Sequence, residues 1–326
     1  WVSYLSVFND RFVFNFLNIS KTFKKIEWIP EGLPKLWIYN LHYFDYLNSK
    51  HASEDTNIQK EVICEWIKHN TCHSGPGWDP YPTSLRIVNW CRYFINNDID
   101  DDFFIKSLSK QGRFLSKNLE YHILGNHLFA NAKALIFLGI FFKSSESDKW
   151  LKKGLDIFLK EIDEQILPDG GNFELSPMYH SIFLEDLIDI FYIIKIFNIT
   201  HLEYINEIIE NKIIVMIDWA LLMNHPDGEV SFFNDSSLKI ARNIKILISY
   251  ANKLGIKTRK ENNKHVFLKN INYTYMQDSG YIRVESSNAV GILDVAKVGP
   301  DYLPGHAHAD TLSFELSIFN KRLIVN

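Results

Sequence analysis

The amino-acid sequence predicts an α+β protein: an N-terminal α/α toroid of helical hairpins, followed by an antiparallel β-sheet domain. Three observations predict it. From about residue 58 to 255 the apolar residues recur with helical period. The connectors between those helices resemble one another. After about residue 270 the pattern changes to short β-branched and aromatic runs separated by Gly, Asn and Asp.

In chain order, residues 1–57 are expected to form an N-terminal extension packing on the toroid. Residues 58–268 form the toroid, with helices expected near 58–70, 84–96, 102–118, 126–142, 149–166, 178–197, 203–223 and 237–254. Three connectors, "GPGWDPYPTS" (75–84), "LPDGGNFELSP" (167–177) and "HPDGEVSFFNDS" (225–236), share a plan. Each has a Pro/Gly/Asp turn, an aromatic, then a residue suited to N-capping the next helix. A turn recurring every second helix implies stacked hairpins with like connectors along one rim. Residues 269–326 begin the sheet, with three or four strands and a last hairpin turning at Asn320-Lys321. The final strand runs up to Asn326, so the sheet is expected to be truncated, leaving an open edge.

Composition narrows the function. At 326 residues the chain can bury a sizeable core and make two domains. Net charge is −4, which gives no electrostatic footprint for nucleic acid, so an anionic ligand must be met by a local site. No apolar run is long enough to span a membrane; "IDIFYIIKIFNI" is broken by Asp189 and Lys195. Cys64, Cys72 and Cys91 are odd in number and read as free thiols. The chain begins at Trp1 with no visible signal peptide. Aromatic content is 14%, with tryptophans clustered in the first hundred residues, which fits either sugar-stacking platforms or an aromatic core.

Four segments carry candidate chemistry. In "LGNHLFANAKALIF", Asn126 is either a helix N-cap or, with His127, a donor to an anion at a helix mouth. In "ELSPMYHSIF", Ser176 caps a helix, Pro177 opens it, and Tyr179 falls in the first turn beside His180. The helix dipole supplies under one pKa unit, so a phenolate there needs a cationic or metal neighbour. In "WDPYPTSLRIVNWCRYF", Arg86 is placed either to grip a sugar carboxylate or to pair internally. Trp78 and Tyr81 either stack on sugar rings or plug the fold. In "GHAHADTLSFEL" (305–316), an extended chain would point His306, His308 and Asp310 the same way, as a metal or acid–base site requires.

Together, "YNLHYFD", "GNHLFANAKAL", "DGGNFELSPMYH" and "GHAHADTLSFEL", in that order, resemble the heparinase II/III-like polysaccharide lyases and the related alginate and oligoalginate lyases. The resemblance implies β-elimination on a uronic-acid polysaccharide, giving a 4,5-unsaturated uronate. It implies that Asn126 neutralises the uronate carboxylate with help from His127, and that Tyr179 and His306 are the acid–base residues. It makes His308 a ligand of a zinc-type metal whose ligand set is incomplete in this chain, which requires a bend between His306 and His308. Apart from the resemblance, His306, Asp310 or His265 supply further ligands only if the fold brings them within about 2.0–2.2 Å of one ion. The expected partner is an acidic polysaccharide, with Trp78, Tyr81, Arg86, Glu174 and His180 as substrate-binding side chains and the four catalytic residues in one cleft. A periplasmic or secreted location follows from the same resemblance. Two rivals remain. One is an inverting glycoside hydrolase using two of Asp169, Glu174 and Asp235; the other is a non-catalytic glycan-binding or assembly protein.

Overall fold

The computed structural model describes residues 4–8, 11–48, 56–257, 266–268 and 271–326. The chain divides into two units, Trp1–Phe158 and Leu159–Asn326.

The first unit opens with a three-stranded antiparallel meander, β1 (Tyr4–Phe8), β2 (Arg11–Phe16) and β3 (Ile19–Phe23). The Leu17–Asn18 turn between β2 and β3 has positive φ at both residues (54° and 62°), as a two-residue I′ hairpin demands. The expected extension is therefore a sheet. Phe14 and Phe16 of β2 are buried against Tyr46 and Trp37, at centroid distances of 5.3 and 5.1 Å. Helices follow at α1 (Lys35–Tyr43), α2 (Thr56–His69), α3 (Pro80–Asn96), α4 (Asp102–Leu115) and α5 (Gly125–Phe141), and α6 (Ser145–Gln165) begins in this unit and ends in the second. Helix α5 is apolar around most of its circumference and its residues Leu128–Ile140 are all buried, including the polar Asn131 and Lys133.

The tryptophans decide between platform and core. Trp28, Trp37, Trp66, Trp78 and Trp90 are all at most 6% exposed. They interlock edge-to-face, for example Trp66 on Trp90 at 5.5 Å. This is an aromatic core.

The second unit holds α7 (Pro177–Ile196), α8 (Glu203–Met223) and α9 (Ile244–Lys253). Helix α9 starts seven residues later than expected, because Asn243 caps it by accepting from Lys245 N at 2.9 Å. A six-stranded antiparallel meander follows: β4 (Val266–Leu268), β5 (Ile271–Met276), β6 (Tyr281–Glu285), β7 (Ala289–Asp294), β8 (Phe314–Ile318) and β9 (Lys321–Ile324). That exceeds the three or four strands expected, and β4 begins ahead of the expected boundary at 269. The last hairpin turns at Phe319–Asn320, both with positive φ, one residue earlier than the sequence suggested. Leu175, Trp219, Met223, Phe233, Tyr281 and Ile292 pack into one core joining α8, the connectors and the sheet.

Two of the three related connectors share a conformation. Each P-D-G closes a small bridge, Ile166 with Asn172 and Asn224 with Val230. In each the aspartate Oδ1 accepts from the N–H two residues on, Gly171 at 3.0 Å and Glu229 at 2.9 Å. Gly170 has φ +92°, and a Cβ there would run into the carbonyl of Val215, so glycine is required. Asp169 uses its other oxygen to accept from Asp278 N, Ser279 N and Ser279 Oγ at 2.7–3.0 Å, which ties this connector to the β5–β6 turn.

Candidate active site

Three segments of the second unit build a cluster around His306. The first is the end of the 167–177 connector. Asn172 Oδ1 accepts from Glu174 N at 3.0 Å, and Leu175 follows at φ +60°, a strained value for leucine. Ser176 Oγ then caps α7 through Tyr179 N, and Pro177 takes the first helical position. The second segment is Asn234–Asp235, both left-handed. Asn234 N donates to Asp310 Oδ2 at 2.6 Å, and Asn234 Oδ1 accepts from His308 N at 3.0 Å. Asn234 Nδ2 donates to the Leu175 carbonyl and to Tyr281 Oη, both at 3.3 Å. One asparagine thus joins all three segments. The third segment is the long β7–β8 connection, which carries His306.

At their meeting point the His306 ring stacks on Tyr179, with centroids 3.7 Å apart and planes 20° apart. His306 Nδ1 lies 2.5 Å from Glu174 Oε2. Glu174 is buried, and an ionised carboxylate only accepts, so Nδ1 carries the proton and Nε2 keeps its lone pair. The Tyr179 phenol is pushed up to about 12, chiefly by burial and further by Asp235 and Glu174. The cationic neighbour that a phenolate would need is replaced by acidic ones. Tyr179 therefore stands as a protonated donor beside an imidazole that accepts.

Residues 305–310 form a turn, not a strand. The three polar side chains consequently diverge. His306 faces Glu174, Asp310 is buried on Asn234, and His308 is half exposed with Nε2 4.0 Å from Asp235 Oδ1. Zinc needs at least three protein ligands. Among the described residues no group of three His, Cys, Asp or Glu is placed to hold a metal, and His265 lies outside them. His308 and Asp235 alone do not fit a zinc site.

In the first unit, α5 starts from two left-handed residues, Leu124 (φ 64°) and Gly125 (φ 52°), and no side chain caps it. Asn126 is therefore already inside the helix and is not the N-cap. Asn126 and His127 thus lie in the first turn of α5, at the end where the helix dipole favours negative charge. His127 Nδ1 lies 3.0 Å from Glu120 Oε1, and its ring lies against Tyr81 at 4.4 Å. Tyr81, expected on the substrate, is half-buried against His127 and Tyr43.

Several expected substrate-binding residues are instead structural. Arg86 is fully buried; it donates to Gly77 O (2.7 Å), Gln111 Oε1 (2.8 Å) and Thr83 Oγ1 (3.2 Å), and stacks on Trp66 at 3.9 Å. Its fork has no face left for a sugar carboxylate. Trp78 is buried, donating to Asn70 O and packing on Trp66 and Phe114. His180 is fully buried, donates from Nε2 to Met216 O at 2.9 Å, and burial pulls it down to about 3, so it stays neutral. Glu174 holds His306 rather than substrate. Of the hydrolase carboxylates, Asp169 is committed to three backbone N–H groups and the Ser279 hydroxyl, and Glu174 to His306. Sequence reasoning missed Glu120, Asn131 and Asn234; only the "ND" pair, which favours left-handed turns, signalled the last.

Residues 30–260 match the family model of the heparinase II/III N-terminus, and residues 269–326 that of the heparinase II/III-like C-terminal domain. A heparin-sulfate lyase of Pedobacter heparinus is 26% identical over 205 residues, covering 57% of this chain and 30% of the relative. A heparin-sulfate lyase of Bacteroides stercoris is 35% identical over 116 residues, 32% of this chain and 16% of the relative. The crystal structure of heparinase III superposes with a TM-score of 0.71 at 19% identity, covering 93% of this chain and 52% of that one. Heparan sulfate lyase HepC from Pedobacter heparinus gives 0.60 at 19% identity, covering 93% and 51%. The chain thus spans about half of these solved chains and less than a third of these two curated relatives. The likeness establishes the fold class expected from the sequence, an α/α toroid followed by an antiparallel β-sheet.

Proposed function

The chain belongs to the heparinase II/III family, and on that premise we propose that it acts as a polysaccharide lyase on a uronic-acid glycosaminoglycan of the heparan sulfate class. The observation that carries this reading is the protonated Tyr179 stacked on an imidazole whose Nδ1 is held by Glu174. A lyase needs a base for the uronate C5 proton and an acid for the leaving O4. His306 Nε2 takes the C5 proton. The C–H electron pair forms the C4=C5 double bond as C4–O4 breaks, and Tyr179 gives its proton to O4. Proton exchange between the two rings and water then restores both. Carbanion character at C5 is opposed by the adjacent carboxylate, so the reaction also needs a group that neutralises it, the role that the family resemblance gives to Asn126 with His127.

Among the described residues no helix is long and apolar enough to cross a membrane. The test is ultraviolet absorbance of the unsaturated product when the protein is incubated with heparan sulfate and with other uronate polymers. Absorbance that rises with the wild type and is lost in Tyr179→Phe supports the reading. New reducing ends without absorbance mean hydrolysis and overturn it.

A further inference from the structure

We propose that Glu120 is a positioning residue that sets the tautomer of His127, and that Asn131 sets the orientation of Glu120. Glu120 is 4% exposed and Asn131 is fully buried. Asn131 grips Glu120 twice: its Oδ1 accepts from Glu120 N at 2.8 Å, and its Nδ2 donates to Glu120 Oε2 at 2.9 Å. The same Nδ2 donates to Ser84 Oγ at 3.0 Å, which anchors the clamp to α3. Only Oε1 remains for His127, and as a carboxylate oxygen it accepts. The proton therefore sits on Nδ1 and the Nε2 lone pair faces away from the clamp. Tyr81 on the ring face holds the imidazole plane. Of the two nitrogens, Nε2 is thus the one left to meet a ligand. In the neutral ring it accepts from a sugar hydroxyl. In the imidazolium it donates to a carboxylate. Buried partners of this kind fix ring orientation as outer-sphere carboxylates do for ligating histidines. The tautomer stands on the structure alone; its effect on turnover rests on the lyase reading above.

The clamp makes an unusual demand on Glu120→Gln. Asn131 Nδ2 needs an acceptor, so the new amide must turn its oxygen toward Asn131 and its NH₂ toward His127. Nδ1 then has to accept, and the proton moves to Nε2. The double variant Glu120→Gln/Asn131→Asp reverses this, because the carboxylate introduced in place of Asn131 accepts from the amide and returns the oxygen to His127. The experiment is two-bond ¹H–¹⁵N correlation on histidine-labelled protein, with His127 assigned through His127→Gln, beside lyase rates on heparan sulfate. The wild type is expected to show Nδ1–H, the single variant Nε2–H and the double variant Nδ1–H. kcat/KM is expected to fall about 10²-fold in the single variant and to recover in the double. Nε2–H in the wild type overturns the proposal, and this result needs no variant to fold. An unchanged tautomer in a folded Glu120→Gln also overturns it. The expected tautomers with no lyase activity in any form sustain the positioning role and count against the lyase reading instead.

Discussion

Each unit of the molecule carries a Glu–His–Tyr cluster, and the two are mounted differently. In the first unit His127 sits in the opening turn of α5, its carboxylate is gripped by Asn131, and Tyr81 covers the ring. In the second, His306 sits on the long β7–β8 connection, Glu174 reaches it from the connector before α7, and Tyr179 from the first turn of α7. The first takes Tyr81, His127 and Asn131 from helix positions and only Glu120 from a connection, the one between α4 and α5. The second exists only because three separate segments meet at Asn234. A histidine on a helix is placed by local geometry, whereas one on a loop is placed by every contact that pins the loop. The two tyrosines differ as well. Tyr179 is held protonated beside acidic groups, while Tyr81 serves as a wall.

The largest effect that would sharpen this comparison is on rate. Tyr179→Phe should lower turnover of heparan sulfate by about 10²–10⁴-fold with affinity kept, whereas Tyr81→Phe, which keeps the ring, should change it little. Equal losses in the two variants would erase the distinction between donor and wall.

Next comes stability. Arg86→Ala leaves Gln111 Oε1 without its donor, takes the shorter of two hydrogen bonds from the Gly77 carbonyl, and empties space under Trp66. It should cost about 3 kcal/mol in urea unfolding, with KM unchanged in whatever fraction folds. A raised KM at normal stability would return Arg86 to substrate binding.

Asn234→Ala removes the side-chain links to His308 N, Tyr281 and the Leu175 carbonyl, and should cost about 1–3 kcal/mol. It should also loosen His306 without touching the first cluster. Hydrogen exchange confined to the second unit would bear this out, and loss of protection around His127 would count against it.

The smallest effect concerns pH. Asp294, at the foot of the β7–β8 connection, is raised to about 6, mainly by burial. A carboxyl raised on folding contributes stability that is full below its unfolded value near 4 and is lost as pH rises through 6. Asp294→Asn, which keeps an acceptor for Ala296 N, should therefore raise stability by about 1–2 kcal/mol at pH 8 and by nothing near pH 4. A gain of equal size at both values would mean that burial of the charge is not the cause.

The helices and the rim turns were legible because period and P-D-G chemistry are local. The β1–β3 meander was not, although "VFNFLNISKTF" alternates around a Leu-Asn turn that only its left-handed geometry reveals. Arg86, Trp78 and His180 misled for a common reason. Sequence gives residue type but not direction, and each points inward. The "YNLHYFD" segment proved to be scaffold: His42 is buried between the Trp28 carbonyl and the Trp66 indole, and Asp45 accepts from Asn89. The family resemblance pointed to His306 and Tyr179 as acid–base residues but not to the carboxylate behind His306, since Glu174 lies 132 positions away.

The β7–β8 connection leaves and rejoins the sheet at one point. Asp294 N donates to Ser313 O at 3.0 Å and Leu312 N donates to Asp294 O at 2.8 Å, so the ladder is closed beneath the loop. A loop with a zipped base can change in length or composition without disturbing strand register. Between the base and the His306 turn, residues 297–303 are exposed or half-buried, with Tyr302 reaching Glu164. This stretch is a graftable cassette. Its replacement is expected to leave both strand register and the Tyr179–His306 pair in place.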